Sequence, residues 1–198
     1  GEEWCCGFPL TGAGAAEEVR EMMEHNLEKA LSLGVSAVVF SCPSCYRMWK
    51  EHYNTDLKLF HSAQFIEKMI KDGAISPGEV NAKVTYHDPC DLGRNAGVFE
   101  APREILNSIP GLTLMELENN CARSLCCGGG GNLEMTDPRL SRSIAEKKIK
   151  TIRQTGADVV VTSCQQCVRT IKGWVRREKI DLDVMDMTEL VLQAISSH

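Results

Sequence analysis

Several features that would point to common function classes are missing from this 198-residue sequence. Lysine and arginine (22) are outnumbered by aspartate and glutamate (27), and no basic run is interleaved with aromatic residues, so a nucleic-acid partner is not predicted. No apolar stretch is long enough to cross a bilayer. The glycine run at residues 128–131 lacks both the GxGxxG spacing and the later acidic residue of a dinucleotide site.

A secretory leader is also missing. Gly1 is not an initiator methionine, and the sequence opens within a cysteine motif, so we interpret the chain as a piece of a longer protein. We expect a cytoplasmic location, with any attachment to the inner face of a membrane made through a partner.

Cysteine, in contrast, is abundant. Nine of the ten cysteines fall into two copies of one pattern. In the first copy, the pair Cys5-Cys6 precedes a glycine, and after 35 intervening residues come Cys42 and Cys45, separated by two residues. Thiolates held at fixed spacing in a chain without a secretory signal usually bind metal.

The second copy repeats this order. Cys126-Cys127 precedes a glycine and is followed after 36 residues by Cys164 and Cys167, and Cys90 lies 35 residues ahead of the pair. The offset between copies is 121 residues at the pairs (126 − 5) and 122 at the later motif (164 − 42). We therefore expect two similar halves related by internal duplication, residues 1–76 with an incomplete amino end and residues 77–198, joined by a Gly/Pro-interrupted linker at 72–82.

The local patterns predict an α/β fold in which each half is a small, mainly parallel sheet flanked by helices. Apolar periodicity and short β-branched runs give the elements in chain order. Helices are predicted at 15–33, 46–53, 64–70, 101–109, 138–153, from Cys167 through Trp174, and at 189–195; strands are predicted at 35–40, 57–60, 83–86, 112–117, 158–162 and 182–185. Both CxxC motifs and Cys90 follow strands, at the carboxyl ends where α/β proteins place their ligand sites.

Three interpretations of the cysteines remain open at this point. Disulfides fit poorly because adjacent cysteines form a strained ring. Structural zinc normally uses two short-spaced pairs, and a fifth thiolate exceeds its tetrahedral shell. Iron–sulfur ligation fits the surplus of thiolates better. Helix amino termini after Cys42 and Cys164, together with bare amides at 128–131, can stabilise anionic sulfur.

At these residues the chain resembles the cysteine-rich CCG domains found in the B and D subunits of heterodisulfide reductases. The family pattern is a single cysteine, then CCG, then CxxC. One copy of it matches Cys90, Cys126-Cys127-Gly128 and Cys164 to Cys167. The likeness extends through residues 87–94 and 101–104 and covers essentially the whole chain. The first copy lacks its leading cysteine, and Gln165 stands where relatives often carry proline.

The resemblance implies an iron–sulfur oxidoreductase with two non-cubane [4Fe-4S] clusters flanking a site where a small-molecule disulfide is reduced. The implied ligands are Cys5, Cys6, Cys42 and Cys45 for the first cluster and Cys90, Cys126, Cys127, Cys164 and Cys167 for the second. It implies electron-transfer partners that are ferredoxin-like, flavoproteins or membrane cytochromes. Some relatives instead relay electrons in quinone-linked oxidation of lactate, glycolate or glycerol 3-phosphate. No catalytic residue is identified.

Other residues near the motifs receive plainer interpretations. We expect His87 to orient its loop through a hydrogen bond and Arg94, Arg103 and Arg123 to be solvated surface residues. Cys121 has no place in the pattern and is expected to be a loop or core thiol.

Overall fold

A computed structural model describes residues 2–196. Helices and strands alternate along it, which confirms the predicted α/β class. The helices are α1 (Phe8–Ala13), α2 (Ala16–Ser32), α3 (Pro43–His52), α4 (Ser62–Lys71), α5 (Glu100–Ser108), α6 (Leu133–Thr136), α7 (Pro138–Arg153), α8 (Gln165–Arg177) and α9 (Met187–Ser196). The strands are β1 (Ala37–Phe40), β2 (Lys58–His61), β3 (Ala82–His87), β4 (Leu112–Leu114), β5 (Val159–Thr162) and β6 (Asp183–Asp186).

The strands form two parallel sheets, as predicted. The smaller sheet pairs β1 with β2, placing Ala37 opposite Lys58, and the larger has the order β4-β3-β5-β6. Among residues 2–196, β1 has no strand on its other edge. Parallel pairing brings the carboxyl ends of the strands in each sheet to one edge.

Two of the differences from the predicted element boundaries have a clear local cause. Helix α3 begins at Pro43 rather than Tyr46, because the proline at its first position has no amide to leave unpaired. The strand expected at 112–117 ends at Leu114. The Met115 amide still bonds the Val84 carbonyl, but the chain then leaves the sheet and Glu116 pairs with Arg103.

Helices cover both faces of the larger sheet. On one face, Tyr86 and Val161 pack in a core with side chains from α4, α5 and α9. On the other, Val160 and Val184 pack against α7 and α8 in a core that also contains cysteine side chains. Helix α4, from the first cysteine copy, thus packs on the sheet that carries the second. None of the helices in the described part of the chain is long and apolar enough to cross a membrane.

A third core joins the smaller sheet to the segment after β3. Phe40, Tyr46 and Trp49 pack there with Leu92 and Val98. These contacts hold the carboxyl ends of β1 and β3, and with them Cys42 and Cys90, in one region of the molecule.

Candidate metal centres

The four cysteines of the first copy come together between α1, β1 and α3. Cys42 ends the segment after β1 and caps α3, and Cys6 is buried against α2 and α3. The Cys45 thiol donates hydrogen bonds to Cys42 and Cys6, and Cys5, which is exposed, donates to Cys6. The structure therefore gathers all four predicted ligands of this copy.

This set favours thiolates at two positions. The hydrogen bond from Cys45 lowers the pKa of Cys42 to about 6, and amides of Ser44 and Cys45 at the start of α3 contribute. The same thiol lowers the pKa of Cys6 to about 7, with help from the Phe8 amide. The pKa of Cys45, which supplies both protons, is raised. Low-pKa thiolates beside helix amides are the form of cysteine that binds metal.

The five cysteines of the second copy form one continuous chain of sulfur contacts. Cys90 and Cys127 donate to Cys126, and Cys167 donates to both Cys127 and Cys164. Because it accepts these hydrogen bonds, Cys126 has a pKa well below its usual range. Cys127 donates one of them, and this raises the pKa of Cys127 to about 12. All five cysteines predicted to bind the second cluster belong to this series of sulfur contacts.

The glycine turn after Cys127 closes the second set. Gly128 has a φ of 89°, the left-handed region that glycine adopts freely, and its amide donates to the Cys126 sulfur at 3.3 Å. The Gly129 amide bonds Cys127. A Cβ on Gly128 would lie 2.6 Å from the Ser141 carbonyl, so a side chain is excluded. Gly7, at the related place in the first copy, has nearly the same φ, 90°.

The loop that carries Cys126 is anchored by buried ion pairs. Arg103 binds both carboxylate oxygens of Asp88 (2.9 and 3.0 Å) and also bonds Glu116. Asp88 also accepts from the Cys121 amide at its carboxylate and from the Ser124 hydroxyl at its carbonyl oxygen. The Arg103 side chain is only 11% exposed, so the prediction that Arg103 is a solvated surface residue was wrong. Sequence could not show this because Asp88 and Glu116 lie 15 and 13 residues from Arg103.

The other two arginines differ from each other. Arg94 donates to the carbonyls of Ala122 and Ser124, which ties it to the same loop rather than to solvent alone. Arg123 is exposed, as expected. Cys121 is a partly buried loop thiol with a φ of 49°, outside both sulfur sets.

His87, at the end of β3, does not act as predicted. It is 1% exposed, and neither ring nitrogen has a hydrogen-bond partner among the described residues. Instead, its ring lies against the second set: the ligand atoms of His87, Cys127 and Cys167 are all within 4.8 Å of one another. Burial holds the pKa of His87 well below its usual value, so the ring is neutral.

Lys148 on α7 is a site residue that sequence reasoning missed. It is 1% exposed, and its Nζ has no hydrogen-bond partner in the described chain. Burial lowers its pKa to about 8, opposed by electrostatic interactions with Asp88, Cys167, Cys127 and Cys126. The sequence signal for it was its position on the apolar stripe of the helix, with Ala145, Ile149 and Ile152.

The two sulfur sets lie close together. A Cys42 thiolate acts on Cys164 through space and raises its pKa, although the hydrogen bond from Cys167 keeps that pKa low overall. Gln165 bonds the Ser41 carbonyl at 2.8 Å. Asp91, next to Cys90, accepts from Ser44 at 2.6 Å and from Arg47.

A cavity of about 570 Å³ opens onto the first set. Its walls include Cys6, Cys42 and Cys45, and the rings of Trp4 and Trp49. A small organic molecule placed there would contact sulfur on one side and aromatic surface on the other.

Comparison with known proteins agrees with this geometry. A family model described as a cysteine-rich domain, CCG, matches residues 1–50 and 84–172. The chain is 36% identical over 204 residues to the D subunit of the dihydromethanophenazine:CoB–CoM heterodisulfide reductase of Methanosarcina mazei, covering 98% of this chain and 50% of that protein.

Two other relatives are named as other kinds of oxidoreductase. The B subunit of the fumarate reductase (CoM/CoB) of Methanothermobacter marburgensis is 36% identical over 196 residues (97% of this chain, 39% of the relative). EtfAB:quinone oxidoreductase of Syntrophomonas wolfei is 28% identical over 207 residues (98% and 29%). The chain spans half or less of the length of these relatives. With the family model matching well over half of its residues, the chain belongs to the CCG cysteine-rich domain family of iron–sulfur oxidoreductase subunits.

Proposed function

We propose that this chain is the cluster-binding part of a heterodisulfide-reductase-like enzyme that reduces a small-molecule disulfide with electrons from partner subunits. The observation that carries this proposal is the proximity of the two cysteine sets, together with an open cavity that is lined by the first of them. The names of the relatives support the class of chemistry, while the substrate and partners are our inference.

The residues of each set fit an iron–sulfur cluster. The second offers five sulfurs in mutual contact, amide donors at Gly128 and Gly129, and an unpaired buried cation at Lys148. That combination suits a bulky anion with several metal ions better than one tetrahedral zinc ion. We assign Cys90, Cys126, Cys127, Cys164 and Cys167 to a non-cubane [4Fe-4S] cluster, and Cys5, Cys6, Cys42 and Cys45 to a first one.

The chain's own residues would prepare the reaction. The cavity walls would hold the disulfide against the first set, and the aromatic rings of Trp4 and Trp49 would exclude water from it. Reduction consumes two electrons and two protons and converts the S–S bond into two thiols. Bound clusters supply single electrons and iron sites with affinity for sulfur.

The duplicated arrangement supports a matching division of the chain. The offset of 122 residues that relates Cys42 to Cys164 also relates Ala37 of β1 to Val159 of β5, and Ala16 of α2 to Pro138 of α7. We propose one repeat over residues 1–76 and a second over 77–198, with α4 and α9 as equivalent closing helices.

Two measurements test the function. Iron, zinc and acid-labile sulfide are determined after anaerobic purification, and reduced viologen dye is then mixed with a panel of disulfides. We expect iron and sulfide in similar amounts, little zinc, and dye oxidation that requires a disulfide and is lost in Cys42→Ser but kept in Cys121→Ser. Zinc without sulfide would overturn the cluster assignment and favour a zinc-stabilised module.

A pure electron relay is a second candidate, favoured by the similarity to EtfAB:quinone oxidoreductase. It predicts two clusters that exchange electrons with dye or a quinone-linked partner but never turn over a disulfide. That result, with iron and sulfide present, would replace the disulfide reductase proposal by the relay.

A further inference from the structure

Lys148 is buried without a partner, which is unusual for lysine. Its side chain is 1% exposed and Nζ bonds nothing in the described chain. Lysine is almost never fully buried unless it is paired, because an unpaired ammonium group loses its hydration without compensation. A residue that costs stability in the empty protein is expected to have a role in the loaded one.

The surroundings of Lys148 identify what it faces. The groups that act on it electrostatically are Asp88 and three sulfurs of the second set, those of Cys126, Cys127 and Cys167. Asp88 is already paired with Arg103 through two hydrogen bonds, so the sulfurs, which are deprotonated when they bind metal, are the groups left for Lys148. The neutral His87 ring lies on the same side and brings no charge of its own.

The equivalent position of the first repeat holds a neutral residue. The offset of 122 residues places Asn26 on α2 where Lys148 stands on α7 (148 − 26). Asn26 is also buried, at 4% exposure, but it is fully used: its Oδ1 accepts from the Trp4 amide, and its Nδ2 donates to the Cys5 carbonyl and the Tyr53 hydroxyl. At the first site, the neutral Asn26 side chain therefore holds the backbone near Cys5 through hydrogen bonds. At the second site, the cationic Lys148 side chain has no hydrogen-bond partner in the described chain.

A fixed positive charge in a low-dielectric interior favours the more negative of two redox states of a neighbouring group, and therefore raises its reduction potential. Building on the proposed cluster function, we propose that Lys148 is the built-in counter-charge of the second cluster and makes that cluster easier to reduce than the first, whose related position holds Asn26. Lys148 acts on the cluster through space and is a positioning and tuning residue, not a catalytic one.

The test compares Lys148→Met with Lys147→Met. Both changes remove one positive charge from α7, but Lys147 is exposed. They are made in a Cys42→Ser, Cys45→Ser background, so that only the second cluster contributes to a redox titration followed by electron paramagnetic resonance. We expect Lys148→Met to disfavour cluster reduction at least tenfold, about 59 mV for one electron, and Lys147→Met to have little effect. Equal midpoints in the two variants would overturn the proposal.

Iron content and stability of the apoprotein provide a second readout. Without metal, Lys148→Met should raise the melting temperature, because it removes an unpaired buried ammonium group and keeps an unbranched side chain. If reconstituted Lys148→Met holds less second-site iron than wild type while its apoprotein is at least as stable, the counter-charge is supported, because the cluster then needs Lys148 to stay bound. A lower melting temperature for apo Lys148→Met would make Lys148 a structural residue and overturn the proposal. Absence of iron from the unsubstituted protein would instead reject the proposed function.

Discussion

Gln165 donates a hydrogen bond from Nε2 to the carbonyl oxygen of Ser41, at 2.8 Å and across 124 residues of sequence. Each of these residues directly precedes or follows the first cysteine of a CxxC motif, Cys42 or Cys164. The contact fixes the two strand-to-helix turns against each other. The Gln165 side chain therefore joins the two cysteine sets.

Replacing Cys127 by serine should remove iron from the second site. Cys127 lies in the middle of the five-sulfur chain, in contact with Cys126 and Cys167, so its loss interrupts the set. We expect Cys127→Ser to lower iron content and abolish that cluster's spectroscopic signal, whereas Cys121→Ser should change neither. Equal iron loss in both variants would reject the ligand assignment.

Adding a methyl group at Gly129 should disturb the turn that supports Cys127. A Cβ there would overlap the Thr170 hydroxyl and lie 3.0 Å from the Thr170 Cβ, while a Cβ on Gly130 meets nothing within 4 Å. Gly129→Ala should lower the free energy of unfolding of the apoprotein by about 1–3 kcal/mol, and Gly130→Ala by much less, as measured by denaturant titration. The prediction fails if the two variants are equally stable.

Removing the Arg103 guanidinium group should destabilise the loop that carries Cys126. Asp88 is 2% exposed and would be left as an unpaired buried carboxylate. We expect Arg103→Met to cost about 3–5 kcal/mol in the unfolding free energy of the apoprotein, and the exposed Arg123→Met to cost little. A small loss at Arg103 would mean that the ion pair contributes little beyond its own desolvation.

Acid should destabilise the apoprotein through His61. Its Nδ1 accepts from the Ala63 amide at the start of α4, and burial lowers its pKa from 6.5 to about 4. Because the unfolded chain binds this proton more readily, stability is present above pH 6.5 and is lost as pH falls towards 4. Between pH 7 and 4.5, wild type should lose about 2 kcal/mol more than His61→Asn, which can still cap the helix.

The control for this titration is His52→Asn, at an exposed histidine. It should follow wild type across the same pH range in denaturant titrations. If His61→Asn also follows wild type, another group is responsible for the acid sensitivity.

Much of the fold could be predicted because it is written in local patterns. Apolar stripes and β-branched runs predicted the six strands and seven of the nine α-helices of the described residues, but not the short α1 and α6. The position of Cys42 and Cys164 after strands placed them at the carboxyl edges of parallel sheets. The proximity of the two sulfur sets, in contrast, depends on contacts such as Asp91 with Ser44, which are 47 residues apart and leave no periodic signal.

Polar residues at the site were harder to interpret than the cysteines. His87 and Arg103 were expected to serve a loop and the solvent, respectively, because a single histidine or arginine is most often used that way. Their actual surroundings are set by tertiary packing: His87 lies against two buried sulfurs, and Arg103 between two carboxylates. Lys148 could be detected only by noticing a charge on the apolar stripe of α7.

The unpaired edge of β1 also affects how the protein must be handled. Within residues 2–196 this strand bonds only β2, and Val39 on it remains 43% exposed. An open, apolar edge is a template for a strand from another molecule. At high concentration, two copies of this 198-residue segment are therefore expected to join edge to edge through backbone hydrogen bonds, so a dimer of the segment seen on a sizing column would need to be tested for dependence on concentration before it is interpreted as a working assembly.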